Sequence, residues 1–234
     1  MSNNKFLKIC GASSLIAVVS YIGTVIFSLV AKVGKPESID VMSQHLTNWF
    51  GANNLMAAYG WFGILGSLFT LPAIIGYYKY LEKEKEMQWI PAVIIFHGVV
   101  LLTIAYIIPL VISLGIAPQY ALESDPAKLA SLEMITWVLI KIEDISIYVG
   151  TILTLATGVA LIAIFDLKKS IMPLWVNILG IVSGVLSFSF LGLFSSGTVY
   201  TVFNIISIID LVLMLVWMAI VGVLLIIKKD EGET

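Results

Sequence analysis

Six apolar runs, each about 20 residues or longer, alternate with short polar breaks along this chain. A helix rises about 1.5 Å per residue, so roughly 20 residues cross a hydrocarbon core of about 30 Å. Repeated six times, that length fixes the class as all-α: a polytopic integral membrane helical bundle with six transmembrane helices. The chain reads as one membrane domain over residues 1–234, with spans at 9–33, 55–80, 90–115, 137–165, 174–194 and 199–227. Charged residues make up 12% of the chain, against about a quarter in soluble domains, which leaves too few to solvate a globular surface.

The same composition excludes several functions. All thirteen basic residues are Lys, so no guanidinium fork is available for bidentate phosphate or carboxylate recognition, and no basic cluster suggests nucleic acid. Cys10 is alone, which rules out a disulfide framework and a cysteine metal pair. The Ser195-Ser196-Gly197 run lacks the preceding glycine and the paired histidine of an intramembrane serine protease. His97 is the single His within a span, too few for bis-histidine haem ligation. No catalytic residue, metal ligand or cofactor is therefore expected.

Lysine counts set an expected topology. Lys5, Lys8, Lys79, Lys83, Lys85, Lys168, Lys169, Lys228 and Lys229 fall on one side, against Lys32, Lys35, Lys128 and Lys141 on the other. The positive-inside rule places both termini in the cytoplasm of a cell membrane. Trp89 and Trp175 then belong at the inner interface, and Trp49 and Trp137 at the outer one. In the first outer loop Ser38 is suited to cap a helix over 38–50, on which Ile39, Met42, Leu46 and Trp49 share one face, predicting a helix lying flat in the interface. His45 on that helix reads as a solvated surface side chain. Asp125 before Pro126 is a helix start: the carboxylate accepts from free amides and proline has no amide to waste.

Charges within or at the lip of a span are costly and so mark a candidate site. On the fourth span Trp137, Lys141, Asp144 and Tyr148 share one side, with Glu143 adjacent, while Val138, Ile142, Ile145, Val149, Ile152 and Ala156 form an apolar side expected to face lipid. Asp144 lies about 33 Å along the axis from Asp166, near the outer edge of the hydrocarbon. On the sixth span Tyr200, Asn204, Ser207 and Asp210 form a polar stripe. Lys141 is the expected partner of one of the three acids, leaving surplus negative charge for water, a cation or a proton to balance. Two readings stand. One is a hydrated outer vestibule. The other is an outward-facing cavity that binds a cationic or polar ligand, or a proton, through Asp144, Asp210, Lys141, Glu143, Tyr148, Asn204 and Ser207. His97 is a possible polar core residue, expected to bond a neighbouring helix.

Small residues mark close packing. Gly60, Gly63 and Gly66 on the second span and Gly180 and Gly184 on the fifth let another helix approach, either within the bundle or from a second copy or membrane partner. Besides the lipid bilayer, such a partner would give the chain a non-catalytic helper or structural role, the alternative to ligand binding.

Glu143-Asp144, the apolar run to Phe165, Leu167-Lys168-Lys169-Ser170, Met172-Pro173 and the segment from Asn177 to Gly184 together resemble the bacterial multi-pass membrane domain-of-unknown-function family 4386. Trp217, Gly222 and Lys228-Lys229 resemble its ending, whereas Leu174 stands where that pattern often has Arg. The resemblance implies about six helices, no assigned chemistry, and Asp144 as a matching polar position.

Overall fold

The computed structural model describes residues 3–80, 89–167 and 171–227. They form α1 (Asn3–Ala31), α2 (Met42–Gly51), α3 (Asn53–Tyr80), α4 (Trp89–Val111), α5 (Ala117–Leu122), α6 (Pro126–Ile152), α7 (Ala160–Leu167), α8 (Leu174–Leu186) and α9 (Gly197–Ile227). π-helical stretches join α4 to α5 over Ile112–Ile116 and α6 to α7 over Leu153–Val159, and a 3₁₀ segment, Ser187–Phe194, extends α8. Among the described residues there is no strand. Six continuous helices are long and apolar enough to cross a membrane: Lys5–Ala31, Asn53–Lys79, Trp89–Leu122, Pro126–Leu167, Leu174–Phe194 and Gly197–Ile227. The fold is thus the expected six-span bundle. Of the lysines that set the expected topology, Lys83, Lys85, Lys168, Lys169, Lys228 and Lys229 lie outside the described residues.

Two spans are longer than expected. The fourth runs 42 residues, about 63 Å, twice what a core of roughly 30 Å requires, because Asp125 starts it early. Asp125 Oδ1 accepts the Ala127 amide at 2.9 Å, and its carbonyl accepts the Leu129 amide at 3.0 Å, so α6 begins at Pro126 rather than at 137. The third span continues through its π-helical stretch into α5. Pro72 and Pro109 lie inside α3 and α4, which remain helical on both sides of them.

The chain divides into two compact units. One comprises Val19–Gly66 and Leu102–Ile147. Its core gathers Met42, Leu46 and Trp49 from α2, Met56 from α3, Ile108 from α4, Ile112 and Ile116 from the π-helical stretch, Ala117 from α5, and Leu132 and Ile140 from α6. The predicted helix after Ser38 exists, and its apolar face is sunk into this core. Trp49, expected as an outer interfacial anchor, is 3% exposed, and its indole N–H donates to Ser113 Oγ at 2.9 Å. Burying so large a side chain against protein outweighs leaving it at the headgroups, provided the N–H finds an acceptor. Ser38 makes no capping bond; a short 3₁₀ turn, Ile39–Val41, leads into α2 instead. The Tyr120 hydroxyl lies 2.6 Å from Glu133 Oε1 and 2.8 Å from Ser43 Oγ, tying α2, α5 and α6 together.

His45 is also a correction. It is buried rather than solvated, because its place one residue before Leu46 puts it on the sunken side of α2. Its ring stands edge-on to Trp49 at 5.5 Å and bonds the Gly34 backbone, while Nε2 has no partner among the described residues. Burial pushes its pKa below the usual histidine value, and the Gly34 bond offsets part of that shift.

The other unit comprises Met1–Val18, Ser67–Leu101 and Tyr148–Thr234. Here α1 and α9 meet backbone to backbone: a Cβ on Gly11 would stand 2.5 Å from the Gly222 carbonyl oxygen. Ser14 Oγ donates to the Met218 carbonyl at 2.8 Å and contacts the Tyr77 hydroxyl, whose ring lies edge-on to Trp217 at 5.4 Å. Asp166, expected at the inner surface, is 1% exposed and organises the turn into α8. It accepts the Ile171 and Met172 amides at 3.1 and 2.9 Å and Asn177 Nδ2 at 2.7 Å, so its charge meets three donors.

The glycines singled out for packing are filled from within. A Cβ on Gly63 would enter the Tyr106 ring, one on Gly60 would stand 2.9 Å from the Tyr106 carbonyl oxygen, and one on Gly66 would meet the Tyr21 ring at 2.8 Å. Gly180 lies against Trp217 and Ala163, and Gly184 against Ala160. Their missing side chains make room for this chain's own aromatic and alanine side chains.

Candidate functional site

The loop after α1 supplies the first element of the site. Lys32 adopts φ +54°, the left-handed conformation that commonly ends a helix, and the chain leaves α1 there. Three residues on, Lys35 extends its ammonium to Asp144 Oδ1 on α6, forming an ion pair. The lysine side chain is 51% exposed and the aspartate 14%, so the pair sits at a surface with the acid on the inner side.

Glu143, the neighbouring acid, is 6% exposed. The Tyr59 hydroxyl of α3 donates to its Oε1 at 3.4 Å, a long bond, and the Tyr59 ring stands edge-on to Tyr106 at 5.6 Å. The Lys35 charge reaches Glu143 as well as Asp144. Lys141, expected to neutralise an acid, instead lies 4.2 Å above the Trp137 ring and is exposed. Lys141 stands one turn from both Trp137 and Asp144; its ammonium takes the Trp137 face, while Lys35 occupies Asp144. The cluster therefore holds two carboxylates facing one lysine that comes from a loop.

The apolar side of the fourth span holds for one half only. Val138, Ile142 and Ile145 are exposed at 48, 43 and 53%, but Ala156, placed on the same side by a constant 3.6-residue period, is buried at 9%. The π-helical stretch Leu153–Val159 adds a residue to the turn and rotates the remainder of the span by about 100°. Gly150, before that stretch, and Thr154, within it, face Gly98, where a Cβ would stand 2.7 Å from the Gly150 carbonyl oxygen.

The sixth-span residues belong to the other unit, where Asp210 and Ser207 have their own partners. Asp210 is fully enclosed and accepts from Ser183 Oγ of α8 at 2.6 Å. Ser207 pairs with Ser189 at 2.8 Å between hydroxyl oxygens, Asn204 is half-buried, and Tyr200 is exposed. Tyr148 rests its ring on Phe190 and Phe194, at 6.3 and 5.0 Å between centroids. Asp144 and Asp210, taken together from the sequence, thus fall in different units, each held by a partner the sequence did not point to. His97 faces outward and bonds the Val93 carbonyl of its own helix at 2.8 Å, so it is not a polar core residue and does not reach a neighbouring helix through that bond.

Lys35, Tyr59, Ser183 and Asp166 are the residues that sequence reasoning missed. Ser183 had a local signal, a hydroxyl beside Gly184 on a close-packed face. Lys35 and Tyr59 meet their partners 109 and 84 positions away, and nothing local marks them. Among the described residues no group of three His, Cys, Asp or Glu side chains is placed to hold a metal ion. No protein-family model matches the chain, and no curated protein or solved structure is significantly similar to it.

Proposed function

We propose that this protein binds a small cationic ligand, a primary amine in the first instance, at the Glu143–Asp144 pair. In this reading the pair opens to the outer face of a cell membrane, with both termini cytoplasmic. The observation that carries it is the arrangement of charge: two adjacent carboxylates, one of them buried, share a single ammonium borne on a loop. A buried carboxyl next to another is balanced either by a proton or by positive charge, and Lys35 supplies one unit of charge for two acids. An incoming ammonium matches the group that Lys35 already places on Asp144. It would displace the lysine or share the acids with it, while Tyr59 orients Glu143 and Trp137 offers an aromatic face at the rim.

A helper role through the glycine-rich spans draws no support from Gly60, Gly63, Gly66, Gly180 and Gly184, whose space this chain fills. The likeness to domain-of-unknown-function family 4386 remains part of the proposal for the second half of the chain and assigns no chemistry. The test is calorimetric titration of the nanodisc-embedded protein with ethylamine, 1,4-diaminobutane, sodium and potassium, beside the E143Q/D144N variant. Amine binding lost in the variant supports the reading. Equal binding by both proteins, or no binding by the wild type, sinks it.

A further inference from the structure

Asp210 poses a separate problem from the acids of the proposed amine site. Its carboxyl is wholly enclosed, it accepts one hydrogen bond from the Ser183 hydroxyl, and Oδ2 meets no hydrogen-bonding group among the described residues. Among those residues, no positively charged side chain stands on α8, α9 or the 3₁₀ segment. On α9 the titratable side chains are Asp210 and Tyr200, while α8 and the 3₁₀ segment carry none. α1 and α3 meet α9 about two turns further on, with Tyr77 beside Trp217 and Cys10 beside Gly76. Asp166 is engaged by Ile171, Met172 and Asn177, and Tyr148 by the Phe190 and Phe194 rings.

A lone ionised carboxylate enclosed in a membrane helix bundle, with one neutral donor and no counter-ion, is far costlier than the neutral acid, which leaves at most one hydroxyl unpaired. A route to it is also visible. Along α9 the polar stripe Tyr200, Asn204, Ser207, Asp210 passes from 39% exposed through half-buried to 4% and then 0% exposed. It covers about 15 Å of helix. The Ser189 hydroxyl joins Ser207 at 2.8 Å, so paired hydroxyls stand one turn before the acid.

We infer that Asp210 is a proton-binding site within the membrane, loaded from the Gly197 end of α9 by way of Tyr200, Asn204 and the Ser207–Ser189 pair. The step is simple in its balance: a proton from water at the Tyr200 end adds to one carboxylate oxygen and later leaves by the same route, with no electron transferred. The site goes beyond the amine reading and stands or falls independently of it.

Infrared spectroscopy of the nanodisc-embedded protein tests it. The expected result is a carboxylic-acid carbonyl band at neutral pH that D210N removes and E143Q/D144N leaves in place. S183A should shift that band, since it removes the hydroxyl bonded to the carboxyl, and labelling of Asp210 by an apolar carbodiimide, read by mass spectrometry, checks the assignment without any substitution. The S189A/S207A variant should keep the band but slow its hydrogen–deuterium exchange about tenfold, the rate equivalent of roughly 1.4 kcal/mol for a lost hydrogen-bonded step. Absence of a D210N-sensitive acid band together with absence of carbodiimide labelling would overturn the site. An unchanged exchange rate in S189A/S207A would overturn the route.

Discussion

If Lys35 is a tethered stand-in for the ligand, removing it must tighten amine binding. The lysine side chain is 51% exposed, so its pairing with Asp144 belongs with surface ion pairs, worth about 0.2–1 kcal/mol. That range means the paired state is favoured over the open one by a factor of about 1.4 to 5, and a ligand confined to the open state has its apparent affinity reduced by the open fraction. K35A should therefore lower the apparent Kd for 1,4-diaminobutane by about two- to sixfold. K35R, which keeps a cation at the same place, should leave it near the wild-type value. Calorimetric titration at low ionic strength reads both, and raising the salt should narrow the difference because the competing charge is exposed. A K35A protein that binds the amine more weakly than wild type would refute the reasoning, since Lys35 would then be part of the binding surface and not its competitor.

The packing carries three further expected outcomes. Gly63→Ala forces a methyl into the Tyr106 ring and should cost about 1–3 kcal/mol of stability, whereas Gly115→Ala, with nothing within 4 Å of its Cβ, should leave the thermal midpoint in detergent unchanged. Asp166→Ala removes the acceptor of two backbone amides and of Asn177; at about 1–3 kcal/mol for each buried group left unpaired, the fourth-to-fifth turn should become the first site of limited proteolysis. His45 is held neutral by burial. Its contribution to stability is therefore fully present above the unfolded-state pKa of about 6.5 and is lost as pH falls through that value towards the lower folded-state pKa. Thermal midpoints taken from neutral to mildly acidic pH should fall more steeply for wild type than for H45Q; parallel curves would show that His45 does not carry the effect.

The spans were legible because bilayer crossing imposes a length and a composition that any apolar run declares. Their ends were less so: Asp125 and Pro126 announced a helix, but only the structure joins that helix to the fourth span without a break. The π-helical stretch Leu153–Val159 is the clearest case of information that a fixed period cannot hold, since one extra residue turns Ala156 from the expected lipid side to a buried one. α2 was read correctly as an amphipathic helix, but periodicity gives an apolar face without saying what covers it, and here protein does. At the candidate site the acids Glu143, Asp144 and Asp210 were identifiable by the cost of placing charge in a span. Their partners were not, since Lys35, Tyr59 and Ser183 reach them through tertiary contacts that no local pattern encodes.

The measurement that bears most directly on the amine reading is a solid-state NMR distance between ¹⁵N-labelled ethylamine and the ¹³C-labelled Asp144 carboxyl, made on protein in lipid. The account predicts direct contact between the amine nitrogen and that carboxyl, with a weakened Lys35-to-Asp144 contact in the same sample. An amine that binds without approaching Glu143 or Asp144, while the Lys35 contact persists unchanged, would contradict it.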